Sequence, residues 1–190
     1  KVMRNAPKSL KCFDLGEKMS KKLYGPSSAD WTRFQMQKAF VLSIIENDHE
    51  SAITLANHAL AVWVKKHGKW NFVALRYYKT LAIIESKGPN PLQAIELAKE
   101  YMAISNKIND GKRFVDVYFS WDLIAQVHEH MDEYDKALEA HSKALAVALQ
   151  MGDVIKQIFQ LERIGLNLYY QKKYAKAEVY FRKAYKLKVA

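Results

Sequence analysis

The histidines near residue 130 come closest, by type and spacing, to a group that could bind a metal ion. His128 and His130 share one segment, and His141 follows eleven residues later. A zinc ion needs ligands that converge on one point. Successive residues of a helix point about 100° apart, so the side chains of His128 and His130 diverge. The metalloprotease pattern also requires a histidine where Asp132 stands. The sequence therefore predicts no metal site.

No other residue pattern in the sequence is typical of an enzyme. Cys12 is the single cysteine and has no fixed histidine partner nearby, so a buried or surface thiol is favoured over a nucleophile. Glycine-rich phosphate loops, nucleophile elbows and dinucleotide-binding fingerprints are absent. These observations predict a non-enzymatic protein with no catalytic residue and no cofactor.

The net charge of +10 is concentrated in the first half of the chain. Residues 1–95 carry 15 lysines and arginines against 7 acidic residues, whereas residues 96–190 carry 15 against 13. A basic segment can bind nucleic acid or acidic partners, although a solvated helix face is favoured where no nucleic-acid motif is present. One cysteine suits a reducing compartment such as the cytoplasm. No apolar run reaches the roughly 20 residues that span a membrane.

Apolar residues recur at helical spacing between clear stop signals, and no segment shows the sustained alternation of a strand. Glycine, proline, asparagine and aspartate stand at the ends of the periodic segments, as in the run from Gly88 to Pro91. The pattern predicts an all-α protein of nine helices, at about 9–23, 31–46, 49–66, 70–86, 92–108, 114–130, 134–150, 155–170 and 174–187.

A small residue recurs along the chain at intervals of 42, 43 and 40 residues, at Ala52, Ala94, Ala137 and Ala177. In three of the four units a second small residue stands twelve positions earlier, as Ala82, Ala125 and Gly165. Small residues at both positions let two helices cross with their backbones close together. The repeating unit is therefore predicted to be a helical hairpin that completes its core by stacking on its neighbours.

These repeats resemble those of the tetratricopeptide repeat family, whose pattern is W-x2-L-G-x2-Y, then A-x3-F and a final proline. The third unit matches it with Trp121, Ile124, Ala125 and Ala137, and the fourth with Leu161, Ile164, Gly165, Ala177 and Phe181. The period exceeds the 34 residues of the standard repeat, and the final proline is missing,. The helices are therefore expected to be longer, similar to the repeats of kinesin light chains, peptide-pheromone receptors and maltose-regulator-type activators.

The resemblance implies a right-handed superhelical array of antiparallel hairpins, an α-solenoid, with hairpins at residues 27–68, 69–110, 111–153 and 154–190. The basic residues 1–26 fit the register as the second helix of an incomplete repeat, because Ser9 lies 43 residues before Ala52. On this interpretation the chain is part of a larger protein.

In the family, the first helix of each hairpin lines a concave groove that binds a peptide. Carried over to this sequence, the positions predicted to bind a partner are Phe34, Gln37, Arg76, Lys79, Phe119, Asp122, Gln126, Phe159, Glu162 and Tyr169. Aromatic anchors with flanking charges suit peptide recognition. The resemblance thus implies a scaffold for a protein or peptide ligand. A homo-oligomer stays open, and direct contact with nucleic acid or a membrane is disfavoured.

Two alternative functions stay open at this point. The long repeats and the incomplete first repeat also suit a sensor or oligomerisation domain of a bacterial transcription regulator. The basic N-terminal half also suits direct binding of nucleic acid, which would weaken steeply with salt.

Overall fold

The computed structural model describes residues 6–189. Within that range the chain forms nine α-helices and no β-strand: α1 (Ala6–Tyr24), α2 (Ala29–Ile44), α3 (His49–His67), α4 (Phe72–Glu85), α5 (Pro91–Ile108), α6 (Phe114–His130), α7 (Tyr134–Gln150), α8 (Val154–Tyr170) and α9 (Tyr174–Val189). The all-α architecture predicted from the sequence is confirmed.

Side-chain caps explain where two helices depart from the predicted boundaries. The first N–H groups of a helix have no partner within it, and a side-chain oxygen just before the helix can accept from them. Ser28 Oγ accepts from the Trp31 amide at 3.2 Å, so α2 begins at Ala29. Asn71 Oδ1 accepts from the amides of Val73 and Ala74, at 3.1 and 2.9 Å, so α4 begins at Phe72.

The helices fall into two compact units. Unit 1 ends at Ile108, and unit 2 begins at Asn109. In unit 1, α2 packs on α1, α3 and α4, while α4 also packs on α3 and α5. In unit 2, α6 packs on α7, α7 on α8, and α8 on α9. Each helix therefore buries its apolar face mainly against helices next to it in the chain. The finer division into four hairpins stays a prediction.

Small residues are buried between the packed helices. The repeated alanines Ala52, Ala94 and Ala137 are fully buried, and Ala177 is 2% exposed. In unit 2, a Cβ added at Gly165 would lie 2.7 Å from the ring of Phe181, closer than real Cβ contacts. The absence of a side chain at Gly165 therefore sets the distance between α8 and α9.

Two further facts concern the surface of the described helices. The thiol of Cys12, on α1, is free and exposed. Among the described helices, none combines the length and the apolar character that a membrane span requires.

Candidate partner-binding surfaces

A cavity of about 590 Å³ opens in unit 1 between α2 and α4, and we call it the α2–α4 groove. Its buried floor includes Met36, Trp63 and Tyr77. Trp63 Nε1 donates to Asn71 Oδ1 at 3.1 Å, and Tyr77 Oη donates to Thr32 Oγ1 at 3.1 Å. Burial raises the pKa of the Tyr77 hydroxyl, which keeps it neutral,. The floor is thus largely apolar, with its polar atoms already hydrogen-bonded.

Two arginines lie on the wall of the α2–α4 groove. Arg33 pairs with Asp30 at 2.9 Å on the exposed surface of α2. Arg76, on α4, is exposed, and no acidic side chain of the described residues forms an ion pair with it. An exposed ion pair contributes only about 0–1 kcal/mol, so Arg33 is also available to an incoming carboxylate.

The structure brings two of the four unit 1 residues predicted to bind a partner into this groove. Gln37 and Arg76 line it. Phe34 is half-buried instead, and its ring fills the space left by Gly16 of α1, where an added Cβ would lie 2.6 Å from the ring. The ammonium of Lys79 lies 5.9 Å from the centre of the Tyr101 ring. Phe34 and Lys79 therefore lie outside the groove lining.

A chain of buried polar side chains in unit 2 joins α6, α7 and α8, and we call it the His141 network. Gln160 Nε2 donates to Tyr118 Oη at 2.9 Å and to Asp122 Oδ1 at 2.7 Å. Its oxygen consequently faces His141 Nδ1, at 2.6 Å, and accepts from it,. On the other side of the ring, His141 Nε2 lies 2.9 Å from Glu129 Oε1.

The Glu129 carboxylate completes this network. It also accepts hydrogen bonds from Arg163 and from Asn167 Nδ2, both on α8. Burial lowers the pKa of His141, while its hydrogen bond to Gln160 and the charge of Asp122 act in the opposite direction,. His141 Nε2 and the carboxylate oxygen form a hydrogen bond only when one of the two carries a proton,.

The His141 network includes two of the residues predicted to bind a partner. Asp122 accepts from Gln160 and, through Oδ2, from Gln126 Nε2 at 2.8 Å. Both Asp122 and Gln126 are half-buried. Asp122 thus links α6 to α8 through Gln160, and Gln126 supports Asp122 from the same helix.

The other predicted residues of unit 2 lie on its surface. Phe119 is half-buried on α6, and Phe159 is 41% exposed on α8. Glu162 Oε1 lies 3.5 Å from the ammonium of Lys188 on α9. The ring of Tyr169 packs edge-on against the ring of Tyr174, with 5.3 Å between their centres.

Most members of the His141 network were not predicted as site residues. A signal for them is present in the sequence, because polar residues recur at i, i+4 and i+7 from Asp122 and at i, i+3 and i+7 from Gln160. Each set lies on one face of its helix. For His141, the sequence predicts no role as a metal ligand. No group of three histidine, cysteine, aspartate or glutamate side chains within residues 6–189 is placed to hold a metal ion.

The fold and its surfaces define a helical-repeat protein, and comparison with known proteins identifies the kind of repeat. Residues 117–188 match the model of the tetratricopeptide repeat family. The resemblance predicted from the sequence is confirmed over these residues. Repeats of this class are scaffolds for protein–protein interactions,. A comparison of the sequence with curated proteins gives no significant match.

Solved structures share the fold over nearly the whole chain. The TPR-like repeats of a protein assigned as a kinesin light chain of Podosopora anserina superimpose with a TM-score of 0.79 at 12% identity, over 98% of this chain and 89% of that one. BtubC (BKLC) from P. vanneervenii gives 0.78 at 15% identity, over 97% and 74%. At such identities the likeness concerns the fold.

Proposed function

We propose that this protein is an interaction scaffold that binds an acidic, extended peptide segment of a partner in the α2–α4 groove. The observation that carries the proposal is the combination of a largely apolar floor with Arg33 and Arg76 on the wall. Clefts of this size, with apolar walls and a few convergent polar groups, are typical of ligand sites.

Each part of the groove has a chemical role in this proposal. An aliphatic or aromatic side chain of the peptide enters the cavity and covers Met36 and Trp63, which is the typical arrangement of an interface anchor. A carboxylate next to that anchor accepts hydrogen bonds from the guanidinium of Arg76. Hydrogen bonds between ionised groups are about twice as strong as those between neutral ones.

The test compares two charge reversals of equal size on an array of acidic peptides that each carry one aromatic residue. We expect Arg76→Glu to weaken binding of the best peptide about tenfold or more, equivalent to about 1.4 kcal/mol. Lys65→Glu, at an exposed position of α3 outside the groove lining, is the control and leaves the affinity unchanged. The measurement is fluorescence anisotropy of the labelled peptide.

Two outcomes count against the proposal. One is that no peptide of the array binds. The other is that both variants bind as well as the unchanged chain. A single-stranded oligonucleotide that competes for the same groove would instead favour binding of nucleic acid through the basic half of the chain.

A further inference from the structure

The charged residues that line the α2–α4 groove lie at one of its ends. Among the described residues, the charged members of the lining are Asp30, Arg33 and Arg76, all near the starts of α2 and α4. The Tyr77 hydroxyl of α4 donates to Thr32 Oγ1 of α2 at 3.1 Å, which holds these two helix starts together. The charged end of the groove therefore has a fixed position on both helices.

The opposite end of the groove is apolar, and α1 contributes to it. Phe40 and Val41, in the second half of α2, line this end together with Phe13 of α1. An ion pair of 2.6 Å between Asp14 and Lys38 fixes this part of α1 beside this part of α2. Phe13 is half-buried, and Phe40 is 39% exposed. Two phenylalanine rings are thus available to a ligand at this end.

The distance between the two ends can be derived from the geometry of α2. Arg33, Gln37 and Phe40 all line the groove and stand at i, i+4 and i+7, which is one face of the helix,. A helix rises 1.5 Å per residue, so Arg33 and Phe40 are about 10 Å apart along its axis. An extended peptide advances about 3.3 Å per residue and covers this distance in about three residues.

Gln37 occupies the stretch of α2 between the two ends. Its side chain is exposed and lines the groove. A side-chain amide both donates and accepts hydrogen bonds, so Gln37 can pair with the backbone of an extended peptide whatever its sequence. The sequence requirements of the groove therefore concern its charged end and its apolar end.

We propose that the ligand of the α2–α4 groove carries an acidic side chain and an aromatic side chain about three residues apart. The acidic side chain pairs with Arg76, and the aromatic ring packs against Phe13 and Phe40. This inference rests on the proposed function and adds to it a second apolar contact, distinct from the anchor that covers Met36 and Trp63. It also makes α1 a part of the binding site.

The test is a series of labelled peptides that share one glutamate with a leucine anchor next to it. A tryptophan is placed at each position from one to eight residues from the glutamate, on either side, and is replaced by alanine in a matched series. We expect the tryptophan to increase affinity most at a separation of three residues, by about tenfold over alanine, since two aromatic partners await it there. Fluorescence anisotropy measures the affinities.

Two variants of α2 separate the apolar end from the rest of the helix. Phe40→Ala removes a ring of the groove and should reduce the advantage of tryptophan over alanine from about tenfold to about twofold. Ile44→Ala is the control, because Ile44 lies one turn later on α2, is 42% exposed and is outside the groove lining. It should leave the advantage unchanged. Circular dichroism establishes that both variants keep their helical content.

The possible failures of this inference and of the proposed function are distinguishable. Binding that is lost in Arg76→Glu but is equal at every separation would overturn the inference and leave the proposed function intact. The same holds for equal effects of Phe40→Ala and Ile44→Ala. A best separation of seven residues would also overturn the inference, because it fits a helical ligand. Binding of no peptide, or binding unaffected by Arg76→Glu, would overturn the proposed function itself.

Discussion

At the scale of single residues, unit 2 is organised by buried polar groups whose hydrogen bonds specify one another. His141 and Gln160 are fully buried, and each bonds to partners on other helices. A buried group left without a partner costs about 1–3 kcal/mol, so the network favours a single arrangement of α6, α7 and α8. The contribution of Tyr118 can be tested through the pH dependence of the free energy of unfolding.

We expect the free energy of unfolding to decrease less with rising alkaline pH in Tyr118→Phe than in the unchanged chain. Burial raises the pKa of Tyr118 to about 12, whereas in an unfolded chain it is about 10. The resulting stabilisation is fully present below pH 10 and is lost as the pH rises through 12, because the unfolded chain releases this proton first. Urea unfolding followed by circular dichroism from pH 8 to 12 measures the effect.

The control for this prediction is Tyr24→Phe, at a tyrosine 67% exposed on α1. Its stability should follow the same pH curve as the unchanged chain. Parallel curves for Tyr118→Phe and the unchanged chain would show that this hydroxyl does not couple folding to pH.

At the scale of elements, the spacing between helices depends on the positions of glycine residues, which have no side chain. Gly165 lies in the middle of α8, a position where glycine is less favourable than alanine by about 1 kcal/mol. A glycine at this position has a steric explanation, because the ring of Phe181 occupies the space next to it.

We expect Gly165→Ala to destabilise the chain by roughly 1–3 kcal/mol, since the new methyl group overlaps the Phe181 ring. In a Phe181→Leu background the same substitution should be neutral or stabilising, because the overlap is removed and the helix preference of alanine remains. A double-mutant cycle by urea unfolding measures the coupling. Additive effects of the two substitutions would refute this account of the α8–α9 spacing.

The sequence predicted the bounds of the helices better than the contacts of the candidate site residues. Helix bounds depend on local patterns, whereas those contacts depend on residues far apart in the chain. α6 and α7 begin and end where their apolar periodicity begins and ends, because short turns leave no freedom between them. The first turns of α2 and α4 depend on the caps Ser28 and Asn71, which shift each boundary by two residues. Local signals of this kind are readable in the sequence, although periodicity alone does not contain them.

The candidate sites depend on contacts between distant residues, which local patterns do not specify. The side chains of Gln37 and Arg76 line the α2–α4 groove, and their role in binding a partner stays a prediction. Phe34 has the same register, but Gly16, eighteen residues earlier, gives its ring a place to pack. Asp122 likewise finds a partner in Gln160, 38 residues later. Family position therefore indicates which face a residue lies on, while its partners decide whether it is accessible.

At the scale of the whole molecule, the distribution of charge affects the rate at which charged partners associate with the chain. The cationic excess of residues 1–95 lies in the same half of the sequence as the α2–α4 groove. Exposed charges attract an oppositely charged ligand over roughly 10 Å at 0.1 M salt, and the range shortens as salt is added.

We expect the association rate of an acidic peptide to fall about tenfold between 20 and 300 mM salt, with a much smaller change in its dissociation rate. Stopped-flow fluorescence measures both rates. An association rate that does not change with salt would exclude electrostatic steering by this half of the chain.

The exposed thiol of Cys12 has a practical consequence for binding measurements on the α2–α4 groove. It is the single cysteine of the sequence and is followed directly by Phe13, whose side chain lines the α2–α4 groove. A maleimide dye would therefore attach at one defined point, one residue from the groove, without any engineered cysteine. A dye on Cys12 of the unaltered protein would thus report whether a ligand occupies the α2–α4 groove.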